Sequence, residues 1–268
     1  KGLATQMGNQ GHSSESIRLI CEYIWSGAIG DVETLHCVSN RSFGAKPPRP
    51  ASRPVPRGLD WEAWIGPAPF RDYHKGLHSF SWRGWKDFGT GSIGDMACHT
   101  IDGAVWALKL NQAETLEVEA EVGGVNAEGY NGHARIVYRF PARGNLKPVT
   151  LTWWNGGSAE DKPPRPEVLE AGRKPLSQGT YYYGSKNLLQ STSHCGGVRI
   201  IPETRMKETP KPEQMLERVP GHSGDWVRSI KDSTAPKPSC HFDYSAHLTE
   251  IVLLGTVALK AGASWCTI

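Results

Sequence analysis

What the 268-residue chain lacks narrows its class before any motif is considered. Its six cysteines are Cys21, Cys37, Cys98, Cys195, Cys240 and Cys266, and no two stand in C-x-x-C spacing. That spacing marks the common structural zinc sites, so such a site is not expected. The cysteines lie far apart in a mid-sized chain, which argues against a disulfide framework and for buried free thiols. No apolar run is long enough to cross a bilayer as a helix. Neither sign of charge dominates, with 30 Lys and Arg against 27 Asp and Glu and a net charge of +3. No basic cluster interleaved with aromatics reaches the length of a nucleic-acid strip. Repeats and low-complexity segments are absent. The expectation is a soluble globular protein with no nucleic-acid and no membrane partner. No leader is visible, and the compartment, cytoplasmic or exported, is left open.

Hydrophobic content of 38% and charged content of 21% are ordinary, and the length allows one large or two small domains. The 30 glycines and 19 prolines call for long ordered loops. Gly2–Met7 reads as a strand end. Ser13 or Ser14 caps a helix to about Trp25, with Ile17, Ile20, Cys21 and Ile24 on one face. Asp31–Arg41 reads as a strand that opens into the proline-rich stretch Lys46–Pro56. Trp61–Trp64 is one helical turn closed by Gly66-Pro67, and the helix after Gly91 runs to Leu108. Leu116–Val122, Ala134–Phe140 and Val149–Trp154 have strand character, and Gly179–Tyr183 with Asn187–Ser191 form a hairpin. Val198–Ile201 is a further strand, and Gly221–Lys231 and Ala246–Lys260 are helices. Several strands with few helices between them predict an α+β fold: an open, mostly antiparallel sheet with helices on one face.

One segment carries chemistry. Asp95 and His99 stand four residues apart in Gly89-Thr90-Gly91-Ser92-Ile93-Gly94-Asp95-Met96-Ala97-Cys98-His99-Thr100-Ile101-Asp102. On a helix both lie on one face, one turn apart. Imidazole titrates near neutrality, and a neighbouring carboxylate sets its tautomer, so the pair suits proton transfer. An ordinary helix with an acidic first turn would show the same spacing. Cys98 points roughly 100° away from His99 and reads as small-residue packing rather than a nucleophile. Directly upstream, Phe80-Ser81-Trp82-Arg83-Gly84-Trp85-Lys86-Asp87-Phe88 mixes aromatics with charge. Indole faces cover C–H surfaces and guanidinium forks onto oxygens, so Arg83, with Trp82 and Trp85 as walls, fits a polyhydroxyl or carboxylate ligand. The other reading of this run is a loop that plugs a sheet edge. Asn9, Gln10 and His12, in a turn after the first extended segment, are further site candidates, as are Arg41 at a strand end and His222 before a helix. Tyr73, His74 and His78 read equally well as a solvated loop.

The stretch from Gly91 to Asp102 resembles the G-G-x-x-x-D-x-G-x-H-x-x-D signature of the Gfo/Idh/MocA oxidoreductases. The same resemblance extends over Thr5–Ser13, Gly27–Val32, Asn40-Arg41, Leu59–Pro69, Gly221–Trp226 and Tyr244–Glu250. It implies a nicotinamide-dependent oxidoreductase, using NAD or NADP, acting on a sugar, cyclitol or related polyol. Asp95 and His99 would be the catalytic pair. No G-x-G-x-x-G stands in a strand–turn–helix context, and the family's Glu-Lys-Pro motif is absent. The resemblance therefore divides the chain into residues 1–30, a remnant of the end of a Rossmann-type domain, and residues 31–268, a substrate-binding and oligomerisation domain. Cofactor binding by this chain alone, and activity from it, are not expected. The proline-rich stretch becomes an ordered loop over the site. Homo-oligomerisation through the free face of the sheet is implied, with Tyr138, Trp153 and Tyr181–Tyr183 expected on that face.

Two other classes compete. One is a non-redox binding or assembly module built on a substrate half. The other is a metal-assisted glycoside-processing relative, in which His12, His99, His222 and Asp95 would form an N/O site; no local ligand spacing supports it, and no metal is expected.

Overall fold

The computed structural model describes residues 2–45, 48–123, 125–156, 162–262 and 266–267. Lys46 and Pro47 of the proline-rich stretch, and the side chain of Cys266, lie outside the described residues. The strands are β1 (Val32–Ser39), β2 (Glu117–Val122), β3 (Ala134–Phe140), β4 (Val149–Asn155), β5 (Gln178–Gly184), β6 (Leu188–Thr192), β7 (Arg199–Ile201) and the two-residue β8 (Cys266–Thr267). They form one sheet in the order β7-β6-β5-β1-β4-β3-β2-β8. Of the neighbouring pairs only β1–β4 is parallel. The helices are α1 (Glu15–Trp25), α2 (Trp61–Ile65), α3 (Gly91–Thr100), α4 (Asp102–Ala107), α5 (Glu203–Glu208), α6 (His222–Lys231) and α7 (Phe242–Ala261). The fold is α+β, with an open, mostly antiparallel sheet.

Period-two alternation decides which side chains meet the helices. Leu35 and Cys37 of β1, Ile136 and Tyr138 of β3, Leu151 and Trp153 of β4, Tyr182 of β5 and Leu189 of β6 join one core with α1, α3, α4 and α7. Ile17 and Ile20 of α1 are wholly buried in that core, each contributing about 1.5–3 kcal/mol. Tyr138, Trp153 and Tyr182 therefore lie on the helix side and not on the free face where they were expected. The alternation that places Arg135 and Arg139 outward places Tyr138 inward. Gly255 of α7 marks the closest approach: a Cβ there would stand 2.1 Å from the Tyr138 hydroxyl. On the other face, Tyr181 packs with Leu169, Leu188 and Ile201 in a smaller cluster. His36 stands edge-on to Tyr183 and Trp154, at 5.0 and 6.3 Å between ring centres. Arg135 and Arg139 of β3 pair with Glu121 and Glu119 of β2.

The long segment between β1 and α3 has its own core of Ala45, Trp61, Ile65, Tyr73, Leu77 and Trp85. Trp61 stacks on Trp64 at 4.8 Å and donates from its indole to the Arg71 carbonyl at 2.8 Å. Tyr73 and His74 are thus buried rather than solvated. The segment is joined to residues 126–130 by hydrogen bonds from the Lys86 N–H to the Glu128 carbonyl and from the Tyr130 N–H to the Gly84 carbonyl.

Most expected elements are present, with three differences. Gly2–Met7 forms no strand; the Met7 N–H reaches the Cys240 carbonyl at 3.0 Å. The helix after Gly91 is two helices that meet at Ile101. Residues 203–208 form α5, which has no buried residue and so no apolar stripe to announce it. Cys21, Cys37, Cys98, Cys195 and Cys240 are buried free thiols. Burial pushes the Cys98 thiol up to about 12, which leaves it unreactive near neutrality.

Candidate active site

The site forms where α3 meets the 3-10 turn Gln10–Ser13, the turn Ser193–Cys195 and the aromatic loop before α3. Asp95 and His99 share one face of α3, and both are partly exposed. They do not hydrogen-bond each other; each has its own partner.

Asp95 accepts from Arg83 Nε at 2.6 Å. Arg83 also donates to the Phe80 carbonyl at 2.9 Å and lies over the Phe80 and Trp82 rings, at 4.3 and 4.7 Å. The loop therefore presents a guanidinium of fixed orientation, with its charge balanced by Asp95. Trp82 is half-buried against it. Trp85 is not a wall of the site. It is 4% exposed in the core of the 48–90 segment, and its indole N–H donates to the Gly76 carbonyl at 2.8 Å.

His99 Nδ1 lies 2.5 Å from Asn9 Oδ1. Asn9 is completely buried and donates from Nδ2 to the Cys98 carbonyl at 2.9 Å and to Asp102 Oδ2 at 2.8 Å. Asp102, 1% exposed, also accepts from His12 Nδ1 at 3.0 Å and from the Tyr244 hydroxyl at 2.6 Å. A buried carboxylate needs such a set of donors to offset its lost hydration. The His194 ring packs against the His99 ring, tilted by 31° with centroids 4.3 Å apart. His194 and Cys195 both hold left-handed backbone, at φ 58°, a conformation costly for non-glycine residues and concentrated at functional sites. Gly11 allows this turn to sit against the first, since a Cβ at Gly11 would lie 2.4 Å from the His194 carbonyl oxygen. Burial, followed by the neighbouring His194, lowers the His99 pKa, while Asp95 and Asp102 oppose the shift. The imidazole is thus held in its neutral form, which can accept a proton.

The remaining candidates divide. His12 is 1% exposed, stacked on Trp106 at 4.4 Å and bonded to Asp102. It supports the site from inside and cannot touch a ligand. Gln10 and Arg41 are exposed. The Arg41 N–H donates to Ser39 Oγ at 3.1 Å. His222 opens α6, with Nδ1 3.0 Å from Ser13 Oγ. Three residues of the network were not among the expected ones. Asp102 lies one turn beyond His99 within the same motif and could have been found by that spacing. Tyr244 lies in the resembling segment Tyr244–Glu250. His194 has no local signal, because only the tertiary fold brings its turn to α3.

The four residues considered as a metal set engage different partners: Asn9, Asp102, Ser13 and Arg83. Among the described residues no group of three or more His, Cys, Asp or Glu is arranged to hold an ion. The described residues also do not fit a dinucleotide pyrophosphate. Such a group needs bare glycine backbone at a helix N-terminus. Before α1, the space beside Gly11 is filled by His194, His12 and Ser13 are buried, and Ser14 Oγ already accepts the Ile17 N–H. Among the described residues no helix is long and apolar enough to cross a membrane.

Residues 46–146 match a family model described as the C-terminal alpha/beta domain of the oxidoreductase family, of the Gfo/Idh/MocA type. No curated protein matches the sequence. Among solved structures, the chain is similar to an NAD-binding protein from Listeria innocua, with 12% identity and a TM-score of 0.55, covering 98% of this chain and 66% of that one. It is similar to a putative oxidoreductase from Thermotoga maritima, with 13% identity and a TM-score of 0.53, covering 99% and 64%. It is also similar to levoglucosan dehydrogenase in complex with NADH and L-sorbose, with 16% identity and a TM-score of 0.53, covering 100% and 66%. At such identities the likeness is one of fold, and the chain spans just under two thirds of these proteins' length. Over residues 46–146, which include the α3 motif that ends in Asp102, the chain is similar to the Gfo/Idh/MocA oxidoreductase family, and its sheet has the fold of the solved oxidoreductases above.

Proposed function

We propose that this chain supplies the substrate-holding and proton-transfer part of a nicotinamide-dependent oxidoreductase acting on a sugar, cyclitol or related polyol. One observation carries the reading: a partly exposed imidazole, His99, on α3, one turn from the Asp95–Arg83 ion pair. In this reading His99 accepts the hydroxyl proton of the alcohol being oxidised. Arg83 and Asp95 hold neighbouring hydroxyls, the guanidinium donating and the carboxylate accepting, while the Trp82 face covers C–H surface. NAD or NADP, held by residues outside this chain's described set, would take up the hydride when bound. The solved relative in complex with NADH and a sugar supports this choice of substrate class. Residues 1–30 would then be the end of the nucleotide-binding part and residues 31–268 the substrate part. Two copies would associate through the sheet face that carries Tyr181, Tyr183 and Trp154.

The test is calorimetric titration of the chain with a panel of monosaccharides, anhydrosugars and cyclitols. Binding to at least one, weakened about tenfold or more by Arg83→Ala, is expected. Failure of every polyol to bind at millimolar concentration would overturn the reading.

A further inference from the structure

Resting on the reading of His99 as a proton acceptor, a further question is which of its nitrogens accepts. A neutral imidazole carries one N–H, and the hydrogen bond made by one nitrogen sets the state of the other. His99 Nδ1 faces Asn9 Oδ1 at 2.5 Å. The Asn9 amide cannot be turned over. Its Nδ2 faces the Cys98 carbonyl at 2.9 Å and Asp102 Oδ2 at 2.8 Å, and neither of these oxygens can donate. Reversal would set the amide oxygen against both, inside a site where Asn9 has no exposure to water. The oxygen facing His99 accepts only, so the proton sits on Nδ1 and the lone pair on Nε2.

We propose that Asn9 is a positioning residue that fixes the Nδ1–H tautomer of His99, so that Nε2 is the proton-accepting atom. Asp102 anchors Asn9, and is itself held by His12 and the Tyr244 hydroxyl. The residue type matters. A carboxylate at position 9 would favour the charged imidazolium and would set a second oxygen against the Cys98 carbonyl and Asp102 Oδ2. An amide orients the ring and adds no charge. The other groups that act on the ring are His194, Asp95 and Asp102.

The experiment needs neither ligand nor turnover. The chain is labelled with ¹⁵N-histidine, and the His99 signals are assigned by their loss in His99→Gln. Wild type should show a protonated Nδ1 and an unprotonated Nε2 at pH 8. Asn9→Ala should lose that preference and move toward the Nε2–H form. A wild-type His99 protonated on Nε2 would overturn the proposal, as would a folded Asn9→Ala with an unchanged tautomer. Should Asn9→Ala fail to fold, the wild-type spectrum decides. The polyol titration is separate from this measurement, so loss of polyol binding would remove the proposed reaction and leave the tautomer result standing, and the converse also holds.

Discussion

Asp102→Ala should be among the most destabilising single substitutions in the site, and the structure orders its effect against two milder ones. Removing the carboxylate leaves one of the two N–H groups of Asn9 Nδ2 and the N–H of His12 Nδ1 without an acceptor, while the other Asn9 N–H keeps the Cys98 carbonyl. The Tyr244 hydroxyl has a second acceptor in the Asp102 backbone carbonyl at 3.3 Å, so its loss is partial. Two orphaned buried donors at roughly 1–3 kcal/mol each, offset by no longer desolvating a carboxylate, give a net cost of about 3 kcal/mol. Asp102→Asn keeps the shape and can turn its amide nitrogen toward Tyr244, whose hydroxyl then accepts, at a cost of about 1–2 kcal/mol. Tyr244→Phe removes one donor and leaves the carboxylate two others, at about 1 kcal/mol. The assay is equilibrium urea unfolding followed by tryptophan fluorescence, with the slope m compared across variants. With m of about 3 kcal/mol/M, Asp102→Ala should lower the midpoint by about 1 M. An Asp102→Ala midpoint equal to wild type, or one above that of Asp102→Asn, would refute the hub role.

Burial holds His99 below its ordinary value of 6.5, and it lowers His36, His74 and His241 likewise. Between the folded and unfolded values the unfolded chain binds more protons, so this stability is full above about pH 6.5 and is lost as the pH falls; His99→Asn should flatten the acid side of a urea-midpoint-against-pH curve, and an unchanged slope would count against it. Gly11→Ala drives a Cβ to 2.4 Å from the His194 carbonyl oxygen, a backbone atom; the melting temperature should fall by several degrees and the His194 NMR signals should move, whereas Gly27→Ala, strained by its positive φ but with open space around it, should leave His194 in place. In a dehydrogenase assay that includes the nucleotide-binding part, His99→Asn should cut turnover about 100-fold with little change in melting temperature; a loss of stability with turnover per folded molecule intact would make His99 a packing residue. Association through the outer sheet face should appear as a dimer or larger species in sedimentation at micromolar concentration, disrupted by Tyr183→Glu, and a strict monomer would exclude it.

How much was legible in the sequence follows from the range of the forces involved. Local signals were sufficient for α1, where Ser14 caps an apolar stripe, and for the strands, whose alternation separates Ile136 and Tyr138 from Arg135 and Arg139. The i, i+4 spacing of Asp95 and His99 placed both on one helical face, because 3.6 residues per turn leave no other outcome. Pairing across the fold was not legible. Asp95 turned to Arg83 and His99 to Asn9, 12 and 90 residues away in sequence. His12 looked like a cleft residue and is an internal strut, because Asp102 needed a buried donor. Trp85 looked like a ligand wall and is the core of its own loop, because an indole ring in a proline-rich segment gains more from burial than from display. The chain by itself determined most of the elements, the alternation within each strand and the family motif, all properties of near neighbours along the backbone. Only the tertiary structure decided which buried donor meets which acceptor, since that depends on how the turns at 9–13 and 193–195 close on α3.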